Sequence, residues 1–356
     1  SFSCTNPLEY LIFAPCMRKI VVPFLLLTSL VLLVALSGCD PYKKLAKSDS
    51  IADKDSAATA YYKHKKYDQA VFLFEELMAV YRGHPRMEEM YYYYAYCRYF
   101  MGELVTAAFY FDDYSQKYPG SKHAEEFEFM TAKCYYQISD PYYLDQKYTQ
   151  KAINQFQLFL SRHPDTEHKE KSMTYLTELR ERLAKKAFEQ ALLYHKIGYH
   201  KAGVEAFKVM INEYPDSKFR EESQFLLVKS AVDLAASSIS TKRLDRYNEA
   251  MEFHEKFVEK FPSSKFADQA EGLRSEIERN QKKLLEEKAK DDEKAAFEVF
   301  KRSMTAVMEA SEEDVRKEEY AKSLDAYRSF QEKYPNSSYL ADADRLFQQY
   351  EEKFKE

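Results

Sequence analysis

The chain has 356 residues, of which only 7 are Gly and 11 are Pro, which excludes a sandwich or barrel built from many short strands and tight turns. Hydrophobic residues make up 45% and aromatic residues 15%, enough apolar surface to exclude a disordered chain. The net charge of -5 gives no reason to expect nucleic acid as a partner. The composition therefore predicts a mostly helical, globular protein.

The first element along the chain is an export signal. Arg18 and Lys19 precede an uncharged run, residues 20–36, which matches the basic and apolar regions of a secretory signal peptide. The run ends in the four residues of a bacterial lipoprotein signal, Leu36, Ser37, Gly38 and Cys39. A single transmembrane anchor is the alternative, because a run of this length nearly spans a bilayer. The polar sequence that follows favours the lipoprotein.

The mature protein is predicted to begin at Cys39, where covalent lipid is the attachment to the membrane and no other cofactor is expected. Residues 1–38 are then upstream sequence plus the signal peptide, with Met17 as the predicted start of translation. Residues 39–50 form a lipidated linker.

A repeat follows the linker. Five times a helical stretch ends in an aromatic residue or His, then Pro, then a short polar segment, with the prolines at Pro119, Pro164, Pro215, Pro262 and Pro335. Pro ends the preceding helix, and the Ser or Thr two residues after it is expected to cap the next one. An earlier copy with Ala70, Phe74 and Pro85 is about one helical turn longer.

Two further positions recur within each copy. Twelve residues before the Pro stands a small residue: Ala107, Ala152, Gly203, Ala250 or Ser323. Eight residues before it stands a residue that is usually aromatic: Phe111, Phe156, Phe207, His254 or Tyr327. Small residues let two helices approach closely, and this layout is that of the tetratricopeptide repeat. We predict an all-α, tetratricopeptide-like helix-pair solenoid of about five to six repeats over residues 51–280.

The first helices of the pairs align on Ala58, Ala95, Ala132 and Ala191. Four residues later stand Tyr62, Tyr99, Tyr136 and His195, at a position expected to line the concave face. The predicted substrate groove consists of Tyr62, Tyr92, Tyr96, Tyr99, Lys133 and Tyr136, with Phe129 on the same face. Rings with a polar tip suit an extended or helical peptide, and the alternative is that most of these tyrosines pack between repeats.

Neither the cysteines nor the histidines predict a metal site. Cys97 and Cys134 are 37 residues apart, with no His at ligand spacing, and core packing is favoured for both over a disulfide. His195 and His200, five residues apart, are not expected to form a metal pair. The chain carries no phosphate-binding loop, nucleophile elbow or zinc-protease motif, so no catalytic residue is predicted.

Residues 281–356 are predicted to form a charged helix followed by an additional helix pair. The segment 273–294 is dense in charge, as in a solvated helix face or a connector. The final pair is expected at about residues 295–333, and a closing amphipathic helix at 339–354.

The lipoprotein signal and the helix pairs together resemble the BamD family, the lipoprotein subunits of the machinery that inserts β-barrel proteins into the bacterial outer membrane. The matching residues include Asp145 with Gln146 and the segments 152–164, 182–185 and 214–217, and the resemblance covers about residues 39–280. The extra tail is expected of a Bacteroidetes-type member, and no contact residue is transferred to it.

The resemblance implies a non-enzymatic protein, anchored to the outer membrane at Cys39 and facing the periplasm. It also implies binding of unfolded outer-membrane protein precursors by the N-terminal repeats, and of a BamA-like barrel protein by the C-terminal ones. A glycan-binding surface lipoprotein of the SusD kind and a scaffold for cell-wall enzymes stay open as alternatives. The glycan-binding alternative is disfavoured because the chain has no Trp for stacking on sugars. A catalytic domain of a cell-wall enzyme is disfavoured because the repeats leave no residues for one.

Overall fold

The computed structural model describes Leu45 and residues 48–354, so the lipoprotein signal and Cys39 lie outside the described residues. Within that part every regular element is an α-helix, which confirms the all-α prediction. The helices are α1 Ile51–Lys63, α2 Tyr67–Val80, α3 Arg86–Phe100, α4 Leu104–Lys117, α5 Ala124–Gln137, α6 Lys147–Arg162, α7 Lys169–Lys196, α8 His200–Glu213, α9 Arg220–Ala236, α10 Ser240–Lys260, α11 Ala267–Glu309, α12 Glu313–Lys333 and α13 Leu340–Phe354.

The helix ends predicted from the prolines occur in five copies with one backbone geometry. Helices α4, α6, α8, α10 and α12 each end one residue before the aromatic residue or His that precedes the Pro. At that residue φ lies between -124 and -130° and ψ between 57 and 70° in all five copies. Since a residue before Pro is driven out of the helical region, the motif itself sets this geometry.

The hydroxyl that follows each Pro does not cap the next helix, contrary to the prediction. In every copy it accepts a backbone N–H from two residues further on, at 3.0 to 3.2 Å, and the helix begins one residue later. The five hydroxyls belong to Ser121, Thr166, Ser217, Ser264 and Ser337. They stabilise the turn rather than the helix terminus, because a Ser or Thr side chain readily bonds to the backbone two residues on.

The short turns within three of the helix pairs share one backbone requirement. Lys65, Gly102 and Gly198 each stand seven residues after the aligned Ala of their copy, and their φ angles are 60, 80 and 77°. Glycine adopts such a conformation without a steric penalty. In the third copy a longer connection replaces the turn.

That longer connection, residues 138–146, is held by two of the residues that carry the family resemblance. Gln146 Nε2 donates to the carbonyl oxygens of Pro141 at 2.8 Å and Leu144 at 3.1 Å. Arg182 Nη1 donates to the carbonyl oxygen of Ser139 at 2.9 Å. Because a loop needs partners for its backbone carbonyls, these two side chains take the place that a tight turn fills in the other copies.

The small and aromatic positions lie inside the helix pairs as predicted. Four of the small residues have no exposed surface, and Gly203 is buried as well. A Cβ at Gly203 would lie 3.4 Å from the backbone nitrogen of His195 and 3.6 Å from Ser230 Oγ, which leaves room for Ala and for nothing larger. Of the aromatic positions, Phe111, Phe156 and Phe207 are fully buried, His254 is 4% exposed and Tyr327 is half-buried.

The described residues form two compact units that divide between Leu183 and Ala184, within the range predicted as one solenoid. The interior of the first unit consists of one cluster from α1 to α3, around Phe74, and another from α3 to α7, around Phe127. The second unit has a cluster from the last part of α7 to α11, around Phe225.

The tail belongs to the second unit and has a core of its own. The charged segment is part of α11, which continues without a break over 43 residues. After it, Phe297 and Phe300 pack with Phe330 of α12 and Ala343 of α13. The predicted closing helix is therefore present, and the charged segment is an exposed stretch of helix as expected. None of the described helices has the length and apolar character that would let it cross a membrane.

Candidate peptide-binding groove

Two depressions in the first unit lie along the first helices of the pairs. The larger, of about 820 Å³, lies between α5 and the turn that precedes α7, and Phe129 and Lys133 line it. The smaller, of about 430 Å³, lies beside α3, and Tyr92 and Tyr93 line it. Lys122 borders both depressions, which together are the candidate groove.

Tyr92 is the centre of the aromatic part of this groove. Its ring centroid lies 4.6 Å from that of His123, 4.9 Å from Tyr96 and 5.4 Å from Phe127. The ring is half-buried, and burial raises the pKa of its hydroxyl, with the Glu126 carboxylate as the next cause. A ring clamped by three others presents a fixed apolar edge to a ligand at little conformational cost.

Tyr96 lies inside the unit rather than on the groove surface, which corrects the prediction that its ring faces substrate. It is 8% exposed, its ring contacts Phe111 and Phe127, and its hydroxyl donates to Glu126. Burial and this carboxylate raise the pKa of the hydroxyl. A large ring at this position contributes more by packing between pairs than it could by contact with a ligand.

The predicted residues Tyr99 and Lys133 are brought into contact, although only Lys133 lines a depression. Lys133 Nζ lies 5.3 Å from the centroid of the Tyr99 ring, and both side chains are half-buried. The attraction between a cation and the face of a ring offsets part of the cost of burying the charge, and the charge stays available to an anionic ligand.

Tyr62 and Tyr136 lie at opposite ends of the predicted row. The Tyr62 ring packs against Tyr93 with centroids 4.8 Å apart, and burial raises the pKa of its hydroxyl. Tyr136 stacks on Tyr175 at 4.1 Å and donates to Glu178, which together with burial raises the pKa of Tyr136 to about 12. The hydroxyls of Tyr62 and Tyr136 are therefore neutral at physiological pH.

The sequence missed the charged residues that border the depressions. The basic ones are Lys122, His123, His168 and Lys171, and the acidic ones include Glu125 and Glu126. The ring of His168 stacks on Phe129 at 4.1 Å with 12° between the planes. Most lie directly after the Pro119 and Pro164 motifs, so those motifs carried a signal for the groove rim.

The mixed charge of the rim decides what the groove can take. Both basic and acidic side chains line the larger depression, and no single sign of charge dominates. A polyanion needs a run of basic groups, whereas an extended peptide with polar and apolar side chains matches such a surface.

Cys97 and Cys134 are both fully buried free thiols, as core packing requires. They lie in different hydrophobic clusters of the first unit. Burial raises the pKa of each thiol to about 12. The equivalent Leu193 of the later copy is 55% exposed, so this position is not a core position in every repeat.

Successive helix pairs define the class of protein: a tetratricopeptide-like helical repeat protein. The sequence model of the YfiO family, described as an outer membrane lipoprotein, matches residues 56–244, more than half of the chain. The chain therefore belongs to the YfiO family of outer membrane lipoproteins, which confirms the resemblance drawn from the sequence.

A curated relative and two solved structures are similar to the chain. The "putative outer membrane protein assembly factor BamD" of Aquifex aeolicus (strain VF5) is 25% identical over 290 residues, which covers 80% of this chain and 90% of that protein. The TPR2AB-domain:pHSP90 complex of yeast Sti1 is 17% identical over 83% of this chain and 96% of that one, with a TM-score of 0.32. TPR-like repeats of a Podosopora anserina kinesin light chain are 14% identical over 64% and 96%, with a TM-score of 0.26.

Proposed function

We propose that this protein is a non-enzymatic, lipid-anchored assembly factor for outer-membrane β-barrel proteins. Membership of the YfiO family supports this proposal, and so does the BamD relative, which aligns over most of both chains. In the proposed arrangement lipid at Cys39 holds the protein at the outer membrane, on the periplasmic side, where barrels are inserted.

The first unit is proposed to bind unfolded barrel precursors in the groove lined by Tyr92, Phe129 and Lys133. The observation that carries this is the presence of packed aromatic rings beside charged side chains of both signs. An extended precursor segment that alternates polar and apolar side chains would place apolar groups on the rings and charged groups on the rim.

A peptide-binding experiment tests the groove. Lys133→Glu reverses one charge in the lining of the larger depression, beside Phe129, without removing a ring. We expect the affinity for a synthetic peptide of the last strand of a barrel protein to fall about tenfold, equivalent to about 1.4 kcal/mol. Fluorescence anisotropy with a labelled peptide measures the change.

Lys151→Glu is the matched control. Lys151 Nζ lies 5.2 Å from the Tyr135 ring, the same kind of contact on a surface that does not line the groove. Both variants should keep the circular-dichroism signal of the parent. Equal affinities for Lys133→Glu and the parent, or equal losses in both variants, would refute the proposed groove.

The second unit is proposed to contact a BamA-like barrel protein, as the C-terminal repeats do in the family that the chain resembles. Purification from gently solubilised membranes of the native host, followed by mass spectrometry, tests this partner. Recovery of a large barrel protein with repeated periplasmic domains would support it. Recovery of sugar transporters or cell-wall enzymes instead would refute the assembly function while leaving the fold unaffected.

A further inference from the structure

Three potential metal ligands converge in the second unit. His195 lies near the end of α7, His200 is the first residue of α8, and Asp233 lies on α9. Asp233 Oδ2 is 4.0 Å from Nδ1 of His195 and 3.9 Å from Nδ1 of His200. One ligand atom from each of the three lies within 4.8 Å of the others. Both histidines therefore face one carboxylate from two different helices.

The other histidine pair with the same spacing lacks this arrangement. His163 and His168 are also five residues apart, but they share no carboxylate: Glu125 and Glu128 lie beside His163, and Glu167 lies beside His168. His163 Nε2 lies 3.2 Å from Glu128, and His168 Nε2 lies 3.6 Å from Glu167. A shared carboxylate is thus a feature of the second unit and does not follow from the spacing alone.

His200 carries an unsatisfied polar atom that points to a ligand. Its Nδ1 is shielded from solvent and has no hydrogen-bond partner in the described part of the chain. A buried imidazole nitrogen without a partner is unfavourable, and a metal ion is one of the few groups that would satisfy it. His195 Nδ1, by comparison, is 2.9 Å from Ser230 Oγ.

The repeat shows that a His at position 195 is a departure. The equivalent residues of the other copies are Tyr62, Tyr99 and Tyr136. In this copy His195 supplies a nitrogen that can bind a metal, and His200, five residues later, supplies a second nitrogen.

We propose that His195, His200 and Asp233 bind one Zn²⁺ ion with an open fourth position. Two imidazoles and a carboxylate form a donor set that zinc accepts in tetrahedral sites. In a tetrahedral site with bonds of about 2.0–2.1 Å, two ligand atoms lie about 3.4 Å apart. The Nδ1 atoms of His195 and His200 must therefore each move about 0.5 Å closer to Asp233 Oδ2. Binding at Nδ1 of His195 replaces its hydrogen bond to Ser230.

The ion would join three successive helices of the second unit. α7, α8 and α9 each supply one ligand. Because the three ligands come together only in the folded protein, the metal binds the folded state and stabilises the packing of these helices. Lys196 and Lys229, whose charges act on His195, lower the affinity without blocking the site. Zinc would thus tune the rigidity of the second unit independently of the groove in the first.

Titration of the full-length, detergent-solubilised protein with ZnCl₂ tests the site. We expect one saturable equivalent per chain by isothermal titration calorimetry, and a rise in thermal unfolding temperature on zinc addition. His200→Ala and Asp233→Asn should each lower the affinity by at least about tenfold, the scale of effects known around metal sites. Replacing Zn²⁺ by Co²⁺ should give the visible absorption of a tetrahedral site.

The matched control is the double variant His163→Ala/His168→Ala, which removes two histidines of the same spacing. It should retain the binding and the cobalt spectrum of the parent. Circular dichroism without metal establishes that each variant is folded. No saturable zinc binding, binding unchanged in His200→Ala, or binding lost only in the control would overturn the proposal.

Discussion

His254 occupies the position that is Phe in three other copies, and its replacement by Phe is the sharpest test of the repeat. The side chain is 4% exposed, and its Nε2 has no hydrogen-bond partner within the described residues. A buried polar atom without a partner costs about 1–3 kcal/mol. Since Phe fits the equivalent sites, we expect His254→Phe to raise the free energy of unfolding by about 1 kcal/mol at pH 7.5.

The pH dependence follows from the pKa of His254, which is lowered from 6.5 chiefly by burial. Glu271 and Glu255 act in the opposite direction, and Arg274 acts with burial. Below pH 6.5 the unfolded chain binds a proton that the folded chain resists, so stability falls as the pH falls. The advantage of the variant should therefore grow by up to about 1.4 kcal/mol between pH 7.5 and 5.5.

Urea unfolding at the two pH values, followed by circular dichroism, measures this difference, and hydrogen exchange assigns it to α10 and α11. His64→Phe, at an exposed histidine, is the control and should change stability by less than about 0.5 kcal/mol at either pH. An equal gain in unfolding free energy for His254→Phe at both pH values would contradict the conclusion that His254 is buried in its neutral form. A loss of stability would show that this copy cannot hold a Phe ring.

Four further outcomes follow from the structure. Gly203→Ala should raise stability by about 0.5–1 kcal/mol, because Ala fits and favours the helix, whereas Gly203→Leu should lower it; thermal unfolding distinguishes the two. Arg182→Ala should cost about 1–3 kcal/mol and increase hydrogen exchange in residues 138–146, since it removes the partner of a loop carbonyl. Cys97 and Cys134 should resist iodoacetamide at pH 8 until the chain is unfolded, as peptide mass spectrometry would show; labelling of the native protein would contradict their burial. Cys39→Ala should abolish incorporation of labelled palmitate, and incorporation that persists in this variant would refute lipid attachment at Cys39.

The local pattern of the sequence determined the repeat. Pro restricts the residue before it, so five Pro motifs were enough to locate five helix ends, where φ lies between -124 and -130° and ψ between 57 and 70°. Small residues such as Ala107 could be assigned to helix contacts because their spacing from Pro is constant. The closing helix, α13, was predictable for a different reason: its apolar residues recur at helical spacing.

Only the tertiary structure decided which side chains share a surface. Tyr92 and Tyr96 lie one turn apart on α3. Tyr96 is buried, where its hydroxyl donates to Glu126 of a neighbouring helix, whereas Tyr92 borders the groove. His195 and His200 were visible in the sequence, but Asp233 is 33 residues beyond His200 and reaches them through the packing of α9. Periodicity fixes the face of a helix, whereas the partner of that face depends on contacts between residues distant in the chain.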